Sequence, residues 1–275
     1  RILSSAASDV YKRQDTLRRQ IARDFFEQFQ NNTANYYVAI GKSEPWDSSE
    51  NVPTPVNNPE TIADFRDVMQ SIKRVKSTSL VVPRNNWSSG TIYSQYDDRA
   101  QGYPAQPYYV KNDNSQVYVC LEAGRNRLGV AVPSVVEPTG SNNDSFRLSD
   151  GYVWKFLYTI SAQKQEQFQS SNFMPVQKQL TVDSNSTGIE LKQKEVQDSA
   201  KSGQVLSVII TDPGPGFVQP PTIKFTGNGN GAKAIADIDS ATGTLSRIRI
   251  ADSGQHLAHG LGYTTAFVNI TGGGG

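Results

Sequence analysis

The order of apolar and polar residues predicts two helices in the first third of the chain. From Asp15 to Phe29, large apolar side chains recur every four positions, at Leu17, Ile21 and Phe25, which is the spacing of one helical face. A second helix is predicted over Pro59–Val75, because proline suits the first helical position and apolar residues follow at helical spacing. Those apolar residues are Ile62, Phe65, Val68, Met69 and Ile72.

Apolar alternation predicts strands through most of the rest of the chain. The strongest is Tyr152–Ile160, where large apolar or aromatic residues occupy every second position. Shorter apolar runs predict strands at Tyr36–Ile40, Ser79–Val82 and Gln116–Leu121. The chain is therefore expected to be mainly β, an α+β protein with an antiparallel β-sandwich-like core, an N-terminal helix and a second short helix.

The last part of the chain repeats itself, which predicts a C-terminal Gly-rich β-repeat module. Each unit has a strand, a Gly-rich turn and a second strand, and the three stretches occur twice in the same order. The equivalent stretches are Leu206–Ile210 and Leu245–Ile250, Gly214–Phe217 and Gly260–Tyr263, and Thr222–Gly227 and Phe267–Gly272.

The second repeat is expected to be truncated. In the first repeat, the turn after Gly227 is followed by an alternating strand, Ala232–Ile238, whereas the second repeat reaches the equivalent turn and stops at Gly275. The strand Ala266–Thr271 is then expected to lack one neighbour and to present unpaired backbone groups.

These patterns divide the chain into three parts. Residues 1–14 have no apolar periodicity and resemble translated adaptor sequence, so they are expected to be a non-native leader. Residues 15–185 form the predicted β-rich core, whose last part includes a Gln-rich segment, Ala162–Gln179, that is interpreted as a linker. Residues 200–275 form the repeat module.

Composition excludes several classes of protein. Lys plus Arg number 27 and Asp plus Glu number 26, so no net field attracts nucleic acid or an anionic membrane. The basic run Ile72–Lys76 lacks interleaved aromatic residues and is interpreted as a solvated helix end. The single cysteine, Cys120, excludes a disulfide framework and is expected to be a buried, inert thiol. Together with the lack of a signal peptide, this predicts assembly in a reducing cytoplasm.

Candidate chemical groups are few. The only histidines, His256 and His259, stand in a Gly-flanked insertion and are interpreted as part of a solvated loop rather than as a metal site. A Ser-His-Asp arrangement in the core is therefore not expected. The Gly-rich run after Gly227 lacks the Lys of a phosphate loop and is interpreted as a turn.

Three carboxylate pairs have the residue types that a glycosidase uses, but each lies in a turn-rich context where aspartate binds nearby backbone amides. The pairs are Glu44 with Asp47, Asp97 with Asp98, and Asp144 with Asp150. We expect a protein that is not an enzyme, with no cofactor, no metal and no small-molecule substrate.

Three sequence clusters together resemble the gene 8 family of baseplate wedge proteins of T-even-like contractile-tailed phages (myoviruses). They are Ile40–Trp46, followed by Ser48, Ser49, Glu50 and Asn51; Val82–Trp87; and Asp150–Leu157. The likeness covers about Asp15–Val176 and does not include the repeats, which look like modules of marine phage structural proteins. In the second cluster, Asn85 and Asn86 stand where family members carry charged residues.

The resemblance implies a mainly β structural protein of the virion that forms a homodimer and contacts the other baseplate wedge proteins. It implies no catalysis. Trp154, mid-strand among apolar residues, is predicted in the core, whereas Trp87 is predicted to anchor an interface within the tyrosine-rich segment that follows it. The residues expected at protein interfaces are Glu44, Trp46, Arg84, Trp87, Tyr93, Tyr96, Tyr103 and Tyr108.

Two rival interpretations remain. A receptor- or glycan-binding tail protein would also be β-rich, aromatic and polar. An enzyme that degrades host polysaccharide is a more distant possibility, because the carboxylate pairs have ordinary structural uses.

Overall fold

The protein is a β-rich α+β protein, as its sequence predicts. A computed structural model describes residues 17–18, 20–29, 35–41, 56–97, 106–179, 181–252 and 257–274. It has 32% strand against 17% helix, and its named strands pair antiparallel. The predicted leader lies outside the described residues. The chain forms two compact units, Arg1–Leu80 and Val81–Gly275.

The first unit contains two helices and a two-stranded sheet. Helix α1 covers residues 20–29. Strand β1 (Tyr37–Ile40) is followed by helix α2 (Pro59–Asp67) and by strand β2 (Ser71–Arg74), which pairs antiparallel with β1. The Asn58 side chain caps α2 by accepting a hydrogen bond of 2.7 Å from the Thr61 amide.

The second predicted helix is shorter than expected. It ends at Asp67 instead of Val75, and Ile72 lies in β2 opposite Ala39 of β1. The Gln70 amide donates to the Ile40 carbonyl at 2.8 Å, and this hydrogen bond lies at the start of the pairing between β1 and β2. Apolar spacing alone did not reveal this change, because β2 depends on a partner strand more than 30 residues away in the sequence.

The second unit begins with the predicted core. Its main sheet has the order β4-β5-β7-β6, and a separate pair joins β3 to β8. The strands are β3 (Val81–Pro83), β4 (Tyr109–Lys111), β5 (Gln116–Glu122), β6 (Phe146–Arg147), β7 (Val153–Thr159) and β8 (Phe173–Pro175). The central pair β5–β7 confirms the predicted strands Gln116–Leu121 and Tyr152–Ile160, each within one residue at either end.

The segment interpreted as a linker is structured, so that prediction is wrong. It contains helix α3 (Ala162–Phe168) and strand β8, and the polar stretch after it contains helix α4 (Gly188–Asp198). Thr187 and Glu190 form a capping box at the start of α4. The apolar pattern alone does not predict α4, because few apolar residues follow the capping box.

The repeats form the rest of the second unit. A four-stranded sheet has the order β12-β11-β9-β14, and a small pair joins β10 to β13. The strands are β9 (Thr222–Gly227), β10 (Asn230–Ala232), β11 (Ala234–Asp239), β12 (Thr244–Ile250), β13 (His259–Leu261) and β14 (Ala266–Thr271). The predicted strand Leu206–Ile210 is not a strand, although its equivalent Leu245–Ile250 lies in β12.

The two repeats face each other through equivalent strands. Strands β9 and β14 occupy the same place in their repeats, and they pair directly and antiparallel. Lys224 is opposite Asn269, its own equivalent, so the two strands are related by a local two-fold arrangement about this residue pair. Ile223 and Phe225 face the core, which places their partners Ile270 and Val268 on the same side of the sheet.

Each repeat also binds the other through its Gly-rich turns. The Phe217 amide of the first repeat donates to the Gly243 carbonyl at 2.8 Å, and the equivalent Tyr263 amide of the second donates to Gly203 at 3.0 Å. A side chain on Gly229 would lie 2.5 Å from the Tyr263 ring, so glycine is required for this close approach. The exchange is reciprocal, and neither repeat could make these contacts alone.

The core sheet and the repeat sheet share one hydrophobic cluster. Leu121 and Val153 of the core pack with Ile223, Phe225 and Ile248 of the repeats. The division between compact units falls at Leu80, so both sheets lie in the second unit. The shared cluster is the physical reason that both parts belong to one unit.

Trp154 and Trp87 differ in burial, which allows a direct comparison. Trp154 is fully buried among aromatic rings, so Trp154→Ala should lower the free energy of unfolding by about 3–5 kcal/mol. Trp87 is half-buried, and Trp87→Ala should cost about 1–2 kcal/mol. Urea denaturation measures both. Equal losses of unfolding free energy in the two variants would contradict the assignment of Trp154, but not Trp87, to the interior.

Amide exchange should distinguish the two equivalent strands. Strand β9 has neighbours on both sides, whereas β14 has only β9 among the described strands. In the monomeric protein, we expect the amides of Phe267–Ile270 to exchange faster than those of Ile223–Phe225, because half of an edge strand's backbone groups face solvent. Hydrogen exchange followed by mass spectrometry or NMR measures this, and equal protection would show that the outer edge of β14 is covered in solution.

Candidate functional site

The predicted interface residues that the structure describes differ in burial. Glu44, Trp46 and Tyr103 lie outside the described residues. The other five lie in the second unit, where the structure gives them different environments: Arg84, Trp87, Tyr93, Tyr96 and Tyr108.

Tyr93 belongs to the core and corrects the prediction that placed it on a surface. Only 1% of the residue is exposed, and its ring lies edge-on to Trp154 at 5.5 Å between centroids. Its hydroxyl accepts a hydrogen bond from the Ser88 amide at 2.8 Å. A side chain held in this way offers no area to a partner.

Trp87 is fixed to the core rather than free to anchor a partner. Its indole Nε1 donates to Ser134 Oγ at 3.1 Å, and its backbone amide donates to the Lys111 carbonyl at 2.9 Å. The ring packs against the aromatic cluster that contains Trp154. The part of the ring that remains accessible could still contribute to an interface.

Tyr96, Tyr108 and Arg84 keep accessible surface. Tyr96 is 40% exposed and its ring lies 5.7 Å from that of Tyr108. Arg84 is half-buried, and its guanidinium donates to the Ser170 carbonyl and to the Asn86 side chain, each at 3.0 Å. Polar groups beside aromatic rings are common at protein interfaces.

A second candidate surface is the free side of strand β14, which we call the open edge (Ala266–Thr271). All six residues are exposed and none is charged. Val268 and Ile270 are 39% and 43% exposed although they lie on the core side of the sheet. The core-side face therefore continues beyond β9 into apolar residues that the described part of the chain does not cover.

The opposite edge of the same sheet is protected. Arg247 of β12 donates to the Arg125 carbonyl at 2.8 Å and pairs with Asp237 at 2.6 Å. Arg249 also lies near Asp237, at 3.4 Å. A side chain on Gly129 would collide with the Ser246 carbonyl, so this segment lies directly against β12. Charge and a covering segment are the usual devices that prevent strand addition, and β14 has neither among the described residues.

The carboxylate Asp150 has a structural role, as its turn-rich context suggested. Its Oδ2 atom accepts hydrogen bonds from Ser134 Oγ at 3.0 Å, from the Val135 amide at 3.0 Å and from the Val136 amide at 3.1 Å. These bonds hold the 134–136 segment beside the core. Its proposed partner Asp144 lines a different region, near His259.

His259 is buried, so the prediction of a solvated loop is wrong for this residue, while His256 lies outside the described residues. Only 6% of His259 is exposed. Its Nδ1 lies 2.8 Å from the Val205 carbonyl, which can only accept, so Nδ1 carries a hydrogen. Nε2 lies 2.7 Å from Ser145 Oγ and, in the neutral ring, accepts from that hydroxyl. Burial is the main cause that lowers the pKa of His259.

The sequence could not reveal this Ser–His contact. Ser145 precedes β6 and His259 begins β13, 114 residues later, and no motif connects them. The contacts between the two repeats position His259, because its carbonyl accepts a hydrogen bond from the Val205 amide at 2.9 Å. Only the folded repeats bring the imidazole to the core sheet.

Two cavities adjoin this pair, and together we call them the crevice. The larger, of about 460 Å³, is lined by Lys201, Lys233 and Asn230 and by the apolar Leu257 and Leu261. The smaller, of about 60 Å³, continues to Ser145, Asp144 and Lys155. His259, Lys201, Gln204 and Leu257 line both.

Cys120 is buried, as predicted, and burial raises the pKa of its thiol. Among the residues that the structure describes, no three potential metal ligands come together. No described helix has both the length and the apolar character that crossing a bilayer requires. Comparison with protein-family models and with curated proteins finds no match to this chain.

Asp150→Asn should destabilise the protein without changing any activity. The Asp150 carboxylate accepts at both oxygens, since Oδ1 also accepts from the Tyr152 amide at 3.3 Å, whereas asparagine has one acceptor oxygen and would turn an NH₂ group towards a donor, so we expect a loss of about 1–3 kcal/mol. Asp113→Asn is the matched control, since that residue is exposed, and it should change stability by less than about 0.5 kcal/mol. Thermal unfolding measures both, and equal effects would contradict the role assigned to Asp150.

Proposed function

We propose that this chain is a structural subunit of a phage tail baseplate wedge and that it acts by binding other proteins, including a second copy of itself. The proposal starts from the resemblance of three sequence clusters to the gene 8 family of wedge proteins. Of these clusters, Asp150–Leu157 contributes most to the core, because it contains Trp154 and forms much of β7. The corresponding location is the virion, in the tail baseplate.

The observation that carries the proposal is the open edge. A strand with free backbone amides and carbonyls, no charge and exposed Val268 and Ile270 can add a strand from another chain. The β12 edge of the same sheet is covered by charged side chains and their contacts. Among the described residues, β12 is protected and β14 is not, and this difference favours a role in assembly.

A second copy is a suitable partner for the open edge. Two β14 strands can pair antiparallel about a two-fold axis, and the uncharged sequence brings no like charges opposite each other. The result would join two four-stranded sheets into one of eight strands. Tyr96, which is 40% exposed, lies outside the open edge and could contact other wedge proteins.

Substitutions on the edge test this function. We expect Ile270→Lys to convert the dimer to a monomer in sedimentation velocity at micromolar concentration, because a charge on an edge strand opposes strand addition. Ile235→Lys is the matched control: Ile235 is 44% exposed, close to the 43% of Ile270, but lies on the inner strand β11. This variant should remain dimeric.

Two outcomes would contradict the proposal. One is a wild-type protein that is monomeric and that also fails to bind the other tail proteins encoded in its genome. The other is loss of the dimer in both lysine variants while both remain folded by circular dichroism. The alternative function, a receptor- or glycan-binding tail protein, predicts instead a defined preference on a glycan array.

A further inference from the structure

The crevice carries more positive charge than its surroundings neutralise. Lys155, Lys201 and Lys233 line it, and none of them lies within ion-pair distance of a carboxylate among the described residues. Asp144 is the one carboxylate in the described lining. Other cations of this unit, such as Arg147 and Arg247, have carboxylate partners at 3.0 and 2.6 Å.

The electrostatic effect of these lysines on one another is clearest at Lys155. It projects from the central strand β7 and is half-buried. Burial lowers the pKa of its ammonium group, Asp144 opposes that effect, and repulsion from Lys201 adds to it. Two ammonium groups that repel each other beside a partly enclosed space would both be stabilised by an anion between them.

The Ser145–His259 pair adds a donor that depends on protonation. With a neutral imidazole, Ser145 gives its hydrogen to Nε2 and has none for a ligand. With a protonated imidazole, Nε2–H donates to Ser145 Oγ, and the hydroxyl hydrogen becomes free to point into the crevice. Nδ1 donates to the Val205 carbonyl in both states, so the ring need not move.

We propose that the crevice is a binding site for a small oxyanion, a carboxylate or a phosphate, held by Lys155, Lys201 and the Ser145 hydroxyl. The uncharged part of the ligand would lie in the larger cavity against Leu257 and Leu261, with Asn230 and Lys233 at its side. A cavity of about 460 Å³ is large enough for a ligand of monosaccharide size. This site does not depend on the assembly role proposed above.

Binding should be linked to proton uptake by His259. The charged groups that face this histidine are Lys155 and Arg147, which lower its pKa, and Glu122, which raises it; Lys201, Lys233 and Asp144 line the adjoining cavities. A bound anion adds negative charge and raises the pKa relative to the empty protein. Affinity is therefore greater at pH values below the raised pKa, and the gain disappears as the pH rises through it.

Isothermal titration with three probes tests the site: inorganic phosphate, glucuronate and, as an uncharged control, glucose. We expect at least one of the two anions to bind and glucose not to bind. The charge of glucuronate is the same at about pH 6 and about pH 8, so any binding of glucuronate should be tighter at the lower pH. Binding should shift the imidazole NMR signal of His259. The chain has only two histidines, so the signal that disappears in His259→Gln is that of His259. Phosphate alone would define a phosphate site, and glucuronate alone a site for an acidic sugar.

A second experiment removes one positive charge from the crevice. Lys201→Met keeps the length of the side chain and should weaken anion binding about tenfold, the effect of losing one charge-assisted contact. Lys224→Met is the matched control, because Lys224 is exposed on β9 and does not line the crevice, and it should leave affinity unchanged. Equal affinities of the two variants, binding of glucose as tight as that of glucuronate, or no binding of either anion at millimolar concentration would each overturn the proposal.

Discussion

The ion pair between Arg147 and Glu122 fixes the centre of the second unit. Two guanidinium nitrogens of Arg147 each lie 3.0 Å from a Glu122 oxygen, and one of them also donates to the Ile250 carbonyl at 3.2 Å. One side chain thus joins β5 and β6 of the core sheet to β12 of the repeat sheet. Glu122 is buried, so the loss of Arg147 would leave a carboxylate without its counter-charge, typically a cost of about 3–5 kcal/mol.

The crevice depends on the same ion pair. Ser145 lies two residues before Arg147, so the position of its hydroxyl beside His259 follows from where Arg147 places β6. Arg147 also contributes to the lowered pKa of His259, which favours the neutral imidazole. A contact that holds two sheets together therefore also sets the geometry and the charge of the candidate binding site.

The parts of the fold that follow from local pattern were predictable from the sequence. The alternation in Tyr152–Ile160 predicted β7, and the internal repeat predicted that β9 and β14 are equivalent. Features that depend on distant partners were not predictable. Ile72 follows a helical pattern yet lies in a strand, because β1 supplies the backbone partners. Repetition shows which strands are equivalent but not that they pair with each other.

Side-chain exposure was the least predictable property of the candidate sites. Tyr93 and Tyr96 lie three residues apart in a segment predicted to be an interface, yet one is in the core and the other is 40% exposed. The glycine neighbours of His259 favour a solvated loop, but the packing of the other repeat buries this residue. In both cases, burial is decided by segments more than 50 residues away in the sequence.

The direct pairing of β9 with β14 limits how this module can grow. Repeat proteins commonly stack units head to tail, a heterologous contact that leaves the same surface free at each end and permits arrays of any length. Equivalent strands that meet around the Lys224–Asn269 pair form an isologous contact, which is satisfied by two units and excludes a third. Duplication of the module would therefore produce additional closed pairs connected in series, not a longer continuous sheet built by repetition of this contact.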